Sequence, residues 1–383
     1  MPWSALLNRG RQRVWDYLPR GSRRYLTRRG RTAIYLACQV LELGPGDHVV
    51  APAFNCGSEL DPIVRSGARV VLYGVDRSCR FEIEEIESLL GPRVRAVYVT
   101  HYWGFLQPLR RLSVLCRRRG IALIEDCALA LFSRGPDGPA GSVGDMAVFS
   151  FAKSLPVPDG GALIVNDPQL GAPPDLAGAS LVQGGRALRG LVRAWLVKSG
   201  VHGADHYLDK HYVQHLVGRE RTPCRSDERP GIPGDFYFQA DDKRHISCAS
   251  HWLLNNYDVS SLVRSQRDNY KVLVDLVRDV PGLRPVYESL PEGTCPLVVP
   301  VLVDERDRVC VELNRRGISA VPWWYGYHAG MIWDRYRDAC YLKDHLLALR
   351  INMELTRRAM RYTAEVLRAA CGQDADVRVG GGS

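Results

Sequence analysis

The stretch MAVFSFAKSLPVPDGGALIVND, residues 146–167, contains the strongest indication of the fold of this chain. Its two ends, MAVFSF and ALIVND, are short apolar runs of the kind that forms buried strands. Between them lie Lys153 and the glycines Gly160 and Gly161, which let a backbone approach another group closely. A lysine at the end of a buried strand is a candidate covalent catalyst, whereas most lysines simply lie on a solvated surface. The residues around this stretch distinguish a catalytic lysine from a surface lysine.

Residues 30–145 alternate between apolar runs and amphipathic segments. The segments with helical spacing are TAIYLACQVLEL, FEIEEIESLL and QPLRRLSVLCRRRG. The apolar runs between them are HVVAP, ARVVLYGVD, RVRAVYVTH and IALIEDC. Because these runs are continuously apolar rather than alternating, they predict an α/β fold with a mostly parallel sheet covered on both faces. Ligands of such sheets bind at the carboxyl ends of the strands.

The same patterns divide the chain into segments. We expect a basic N-terminal arm over residues 1–29 and a large domain over residues 30–244, with an insert at about 168–243. Residues 245–375 read as a long interdomain helix followed by a smaller C-terminal α/β domain. The glycine-rich ending predicts a disordered tail over residues 376–383.

Composition excludes several classes of protein. The 383 residues are 46% hydrophobic and 24% charged, which is an ordinary globular balance. No apolar run approaches the roughly 18 residues of a membrane-spanning helix, and the first residues make a poor secretory signal. The 11 cysteines are dispersed without C-x-x-C spacing, which favours reduced thiols in a cytoplasmic protein and no metal site.

The net charge of +9 is concentrated at the start of the chain, where nine arginines face only Asp16. These arginines are Arg9, Arg11, Arg13, Arg20, Arg23, Arg24, Arg28, Arg29 and Arg31. A second basic segment, residues 186–198, has helical spacing with an apolar face. Both segments could attract a phosphate-bearing acceptor or a membrane surface, or could pack on the body of the protein. No motif for nucleic-acid binding accompanies them, so we expect no nucleic-acid partner.

Three features fall at predicted strand ends. Gly30-Arg31-Thr32 opens a helix, and a helix N-terminus can bind a phosphate. Asp126 closes an apolar strand, where a carboxylate needs a partner such as a cationic ring nitrogen, or else caps the next segment. The third feature is Lys153, which follows the apolar run MAVFSF. A phosphate site, an aspartate and a lysine are what pyridoxal phosphate requires, and neither G-x-G-x-x-G nor a P-loop is present.

The chain resembles the DegT/StrS sugar aminotransferases in the order of its motifs. The resemblance is carried by GRTA, GPGDHVVAPAF, SGARVVLYGVD, RAVYVTHYWG, IALIEDCALAL and GSVGDMAVFSFAKSLPVPDGGAL. It implies fold type I of the aspartate-aminotransferase superfamily, pyridoxal 5'-phosphate as cofactor, and a homodimer in which both chains build each site. It is continuous from about Gly30 to Asp167 and weaker after Asp241.

The resemblance also implies roles for single residues. Lys153 would form the Schiff base with the cofactor, and Asp126 would keep the pyridine nitrogen protonated. Thr32 and Ser150 would hold the phosphate with backbone help, and Cys56 stands where the family usually has an aromatic residue over the ring. The full set of expected cofactor-binding residues is Gly30, Arg31, Thr32, Ala33, Cys56, Asp126, Ser150 and Lys153.

By this resemblance the chain is expected to be an aminotransferase. It would move an amino group from glutamate or glutamine to a ketone, most simply a nucleotide-linked ketosugar in polysaccharide or natural-product biosynthesis. Cys56 changes the expected pocket, which keeps a non-sugar carbonyl acceptor open. A regulator or scaffold that retains the fold without catalysis is the alternative from another class of protein.

Overall fold

The computed structural model shows a seven-stranded sheet, a four-stranded sheet, a two-stranded hairpin and the helices that pack on them. The described residues are 12–179, 237–239 and 242–379, together with positions 185 and 234. Among these residues, no helix is long and apolar enough to cross a membrane.

Seven strands form the large sheet, and two short ones form a hairpin beside it. In chain order they are β1 (Arg23–Thr27), β2 (His48–Pro52), β3 (Arg69–Tyr73), β4 (Val94–Thr100), β5 (Ala122–Asp126), the hairpin strands β6 (Arg134–Gly135) and β7 (Gly138–Pro139), β8 (Met146–Ser150) and β9 (Gly161–Val165). The order across the sheet is β1-β9-β8-β5-β4-β2-β3.

The strands from β3 to β8 in this order are all parallel, while β9 and β1 run antiparallel to their neighbours. The middle strands are almost wholly buried, as expected when helices cover both faces. The predicted mostly parallel sheet is therefore confirmed. Its parallel strands bring the ends of β4, β5 and β8 to one edge.

Five helices of this part connect or follow the strands. They are α1 (Gly30–Val40), α2 (Asp61–Arg65), α3 (Ile83–Leu89), α4 (Arg110–Arg119) and α5 (Phe151–Ser154). Helix α4 ends where the sequence predicts, because Gly120 adopts a left-handed conformation with φ of 64°. Helix α1 buries one face, which includes Ile34 and Leu36, against β8 and β9.

The second part contains a four-stranded antiparallel sheet and five helices. The helices are α6 (Cys248–Asn256), α7 (Val259–Val277), α8 (Arg306–Arg315), α9 (Arg337–His345) and α10 (Arg357–Val379). The strands are β10 (Leu283–Pro285), β11 (Val298–Val303), β12 (Ala320–Pro322) and β13 (Leu346–Arg350), in the order β10-β11-β13-β12.

Two boundaries in this part differ from the sequence expectation. The predicted long interdomain helix breaks into α6 and α7, because Asp258 caps α7 by accepting a hydrogen bond from the Ser260 amide at 3.2 Å. The predicted start of the disordered tail, at residue 376, lies too early in the chain, because α10 continues through Val379.

The N-terminal segment, expected as a basic arm over residues 1–29, packs on the body of the protein from residue 12 onward. Val14 and Leu18 are fully buried, and the Trp15 indole donates to the Asn255 side chain at 2.7 Å. Strand β1 pairs with β9 along the edge of the large sheet. From residue 12 onward this segment is thus integrated into the large sheet and its core. Residues 1–11, the basic segment 186–198 and most of the expected insert lie outside the described residues.

Candidate active site

A cavity of about 880 Å³ opens at the carboxyl ends of β5 and β8. One wall comes from the large sheet and the start of α1, and the other from β12, β13 and the segments that follow them. Its volume lies in the range typical of cofactor and ligand pockets. The expected site residues that line it are Gly30, Arg31, Cys56, Asp126, Ser150 and Lys153.

Lys153 projects into this cavity from α5, directly after β8. Its Nζ lies 6.0 Å from the ring centroid of Trp324, which belongs to the opposite wall. The side chain is exposed and makes no hydrogen bond or ion pair with a described residue. The amine is thus accessible to a ligand, and it faces a cavity rather than an open surface.

Asp126 lies at the end of β5 and is buried. One carboxylate oxygen accepts a hydrogen bond from the Tyr98 hydroxyl at 2.8 Å, and the other accepts one from the Ala128 amide at 2.8 Å. Burial, reinforced by the neighbouring carboxylate, raises the pKa of Tyr98 well above its usual value, so the phenol stays a donor. Asp126 therefore caps the local turn and also lines the cavity, so the two interpretations of this residue are compatible.

The start of α1 and the end of β8 meet at one end of the cavity. A Cβ on Gly30 would lie 3.1 Å from the Ser150 Cβ, so a side chain at this position would crowd that residue. The Ser150 hydroxyl makes no hydrogen bond with a described residue. A small anion at this helix start would thus meet an available hydroxyl.

Thr32 and Ala33 were expected to hold the phosphate, but they are not among the described residues that line the cavity. The Thr32 hydroxyl donates to the Asp242 carbonyl at 2.8 Å and is fully buried. The amides of both residues donate to the Arg29 carbonyl within the first turn of α1. The structure therefore does not place these two residues at the phosphate, because the Thr32 hydroxyl and both amides already donate hydrogen bonds to other protein groups.

Asp242 is a further residue beside this helix start, and no sequence pattern predicts it. Its buried carboxylate forms ion pairs with Arg28 at 3.9 Å, Arg29 at 3.6 Å and Arg31 at 2.9 Å. These three arginines also line the cavity. The carboxylate thereby holds these three arginines at the end of the cavity where α1 begins.

Cys56 and Glu59 form a buried pair on the turn after β2. The Cys56 thiol donates to the Glu59 carboxylate at 2.5 Å, and the Cys56 amide donates to the same carboxylate at 3.0 Å. Burial raises the pKa of the thiol to about 12 and raises the pKa of Glu59, which Asp126 raises further and Lys153 opposes. Sequence reasoning missed Glu59, because a glutamate in a turn usually lies in solvent.

Trp323 and Trp324 line the cavity from the second part of the chain. Trp324 has a left-handed backbone with φ of 54°, which is unusual for a bulky residue. The buried indole N–H of Trp323 has no hydrogen-bond acceptor among the described residues. The wall thus presents two aromatic side chains to the cavity.

A buried cluster of His101, Glu125 and Cys127 lies next to β5. The His101 ring accepts the Gln107 amide at 2.9 Å through Nδ1 and contacts Glu125 at 2.8 Å through Nε2. Both ring nitrogens are therefore engaged in hydrogen bonds. We interpret the cluster as a structural hydrogen-bond network.

Comparison with known proteins identifies the family of the site-bearing segment. Residues 26–173 match the DegT/DnrJ/EryC1/StrS aminotransferase family. The resemblance inferred from the sequence is confirmed for this segment, which includes Asp126, Ser150 and Lys153.

The chain is 37% identical over 144 residues to dTDP-4-dehydro-2,3,6-trideoxy-D-glucose 4-aminotransferase of Saccharopolyspora spinosa, covering 37% of each chain. It is 32% identical over 146 residues to GDP-perosamine synthase of Caulobacter vibrioides, covering 37% of this chain and 39% of that one. The matches thus span less than two-fifths of these curated relatives.

The solved structures extend the comparison to nearly the whole fold. The aminotransferase TlmJ from Streptoalloteichus hindustanus matches with a TM-score of 0.66 and 22% identity, covering 92% of this chain and 86% of that chain. 3-Amino-5-hydroxybenzoic acid synthase matches with a TM-score of 0.63 and 18% identity, covering 91% and 86%. The expected fold type I architecture is confirmed.

Proposed function

We propose that this protein is a pyridoxal-phosphate-dependent aminotransferase. The observation that carries the proposal is that Lys153 and Asp126, from neighbouring strand ends, line one cavity within the family-matched segment. The residues present fit the cofactor. Lys153 offers an amine without a hydrogen bond to a described residue, Asp126 offers a buried carboxylate, and Ser150 offers an available hydroxyl.

Bound pyridoxal phosphate would supply a reactive aldehyde and an electron-withdrawing ring. The Asp126 carboxylate would hold a proton on the ring nitrogen, and the Tyr98 hydroxyl would orient that carboxylate. Gly30, Arg31 and Ser150 would hold the phosphate at the start of α1. Cys56 would face the ring from the turn after β2.

The Lys153 amine would bind the cofactor covalently at rest and would then move the proton from the Cα of the amino donor. The donor is proposed to be glutamate or glutamine. The ketone acceptor is proposed to be a nucleotide-linked ketosugar, because the matched relatives are named for reactions of dTDP- and GDP-linked sugars.

We further propose a homodimer, which mass photometry would test directly.

Reductive labelling tests the site. The protein is incubated with pyridoxal phosphate, reduced with borohydride, digested and analysed by mass spectrometry. We expect the cofactor mass on the peptide that contains Lys153, and none on that peptide in Lys153→Ala. Lys271→Ala, which changes an exposed lysine on α7, is expected to label like the wild type. An adduct only at another lysine, or none in the wild type, would contradict the assignment.

A regulatory role is the second candidate, since the chain is also 31% identical over 146 residues to a pleiotropic regulatory protein of Geobacillus stearothermophilus. The two candidates differ in the products expected when glutamate is added to the protein with pyridoxal phosphate bound and not reduced. An aminotransferase yields 2-oxoglutarate and pyridoxamine phosphate. A protein that binds the cofactor at Lys153 but yields neither product with glutamate or glutamine would favour the regulatory role.

A further inference from the structure

Lys343 is a lysine that is fully buried inside the protein, on helix α9. Lysine is almost never buried completely unless its charge has partners, because removing an ammonium ion from water is costly. Its position therefore needs a local explanation. The side chain is not among the residues that line the cavity, and it belongs to none of the residues expected at the site.

The ammonium group has three carbonyl partners. Its Nζ donates to the carbonyl oxygens of Asn55 at 2.7 Å, Gly326 at 2.7 Å and Trp324 at 3.0 Å. These three bonds use all three N–H groups of a protonated lysine. The rings of Tyr327, Trp333 and Phe54 surround the same nitrogen, with centroids at 4.9, 5.6 and 5.9 Å. Oxygen atoms and aromatic faces together replace the water that the ion loses.

The three carbonyls belong to two chain segments that contribute to opposite walls of the cavity through Cys56 and Trp324. Asn55 directly precedes Cys56 on the turn after β2 in the large sheet, whereas Trp324 and Gly326 follow β12 in the small one. Lys343 is thus a single ion that joins both walls. Without a donor at this point, three carbonyl dipoles would converge with their negative ends together, which is unfavourable.

One of these bonds fixes an unusual backbone. Trp324 lies at φ of 54°, a conformation that costs a bulky residue on the order of 1–3 kcal/mol and persists only where its surroundings impose it. The bond from Lys343 to the Trp324 carbonyl is such a constraint. The Trp324 ring in turn lies 6.0 Å from the Lys153 Nζ. The chain of contacts therefore runs from Lys343 through Trp324 to the amine at the centre of the cavity.

We propose that Lys343 is a positioning residue, which holds the turn that bears Cys56 and the Trp324 backbone in the arrangement that admits the cofactor beside Lys153. Lys343 does not touch the cofactor itself. The part of this inference that concerns cofactor binding rests on the proposed function, whereas the part that concerns the two walls does not.

The first experiment measures the walls without any cofactor. Cys56 is 6% exposed and held in the turn, whereas Cys248 is exposed on α6 and serves as an internal reference. Iodoacetamide is added at neutral pH, well below the thermal midpoint of each variant, and the two cysteine peptides are followed by mass spectrometry. In Lys343→Ala we expect Cys56 to be alkylated at least about tenfold faster relative to Cys248, and in Lys271→Ala at the wild-type rate.

Chemical rescue separates charge from volume. Lys343→Ala lacks the equivalent of n-propylammonium, so that ion should bind among the three carbonyls and slow Cys56 alkylation again. n-Propanol has a similar volume without the charge and should not. If Lys343→Ala does not fold, Lys343→Met keeps most of the side-chain volume and is measured in the same way. Slow Cys56 alkylation in a folded variant, or equal rescue by propanol, would overturn the proposal.

The second experiment measures the cofactor. The concentration of pyridoxal phosphate that half-saturates reductive labelling of Lys153 should rise at least about tenfold in Lys343→Met and stay unchanged in Lys271→Ala. An unchanged half-saturation in Lys343→Met, with only a lower thermal midpoint, would show that Lys343 serves stability alone. If the wild type itself is not labelled at Lys153, the proposed function fails, and the alkylation rates still decide whether Lys343 positions the walls.

Discussion

At the scale of single residues, the site depends on how each polar group is held. Asp126 accepts hydrogen bonds from Tyr98 and from the Ala128 amide, so its carboxylate has a defined orientation at the end of β5. Lys153 has no such constraint from described residues. The two groups thus differ in the way that the proposed chemistry requires, with a fixed carboxylate and a movable amine.

Asp126→Asn is expected to leave the fold intact and to slow the half-reaction with glutamate by about a hundredfold or more, because a neutral amide stabilises a protonated ring nitrogen poorly. Single-turnover absorbance measures this rate. Tyr98→Phe keeps the carboxylate and removes only its 2.8 Å hydroxyl contact, so it should slow the reaction much less. An unchanged rate in Asp126→Asn would mean that the residue only caps its turn.

At the scale of elements, Glu125 ties β5 to the loop before β8. Its carboxylate accepts the amides of Val143 at 2.7 Å, Gly141 at 3.1 Å and Gly144, and contacts His101 at 2.8 Å. Burial raises the pKa of Glu125, but the contacts with His101 and with the backbone amides lower it more, so the net pKa is below its usual value. The ionised carboxylate therefore stabilises the fold.

Glu125→Gln is expected to lower the free energy of unfolding by about 3 kcal/mol at pH 7, because several buried donors lose a charged acceptor. Since the pKa of Glu125 is depressed on folding, its contribution is present above the unfolded pKa and is lost as the pH falls. The difference from wild type should shrink below about pH 4.

Urea denaturation at several pH values checks this result. Glu84→Gln, on the exposed face of α3, is the matched control and should change the stability little at any pH. A constant difference between wild type and Glu125→Gln down to pH 3 would rule out the ionised carboxylate as the cause.

At the scale of the whole molecule, the N-terminal segment closes the core under the large sheet. Leu18 and Val14 are fully buried together with Phe151, the first residue of the helix that carries Lys153. The edge strand β1 then leads directly into α1. The segment from residue 12 to residue 29 therefore supports the helix that carries Lys153 and the start of α1 at once.

Leu18→Ala is expected to lower the free energy of unfolding by about 3 kcal/mol, since it opens a cavity in this core. Arg20→Ala, at an exposed position two residues later, should change it by less than about 0.5 kcal/mol. Urea denaturation measures both. Equal and small effects would show that the segment packs only loosely on the sheet, as a separable arm would.

Sequence patterns were sufficient to predict the parallel sheet and the strand-end positions of Asp126, Ser150 and Lys153. Continuous apolar runs between amphipathic segments are a local signal, and the ends of parallel strands meet at one edge whatever the side chains are. The break between α6 and α7 was a subtler local signal, because Asp258 is an ordinary cap residue within a long helical pattern.

The polar groups that line the site could not be predicted in this way, because packing between distant segments selects them. The Thr32 hydroxyl donates to the Asp242 carbonyl, 210 positions later in the chain. The Lys343 ammonium donates to the Asn55 carbonyl, 288 positions earlier. Hydrophobic periodicity reports which face of an element is buried, but it carries no information on which distant carbonyl a buried donor will meet. The roles of Lys343, Asp242 and the left-handed Trp324 therefore arise from packing between segments far apart in the sequence.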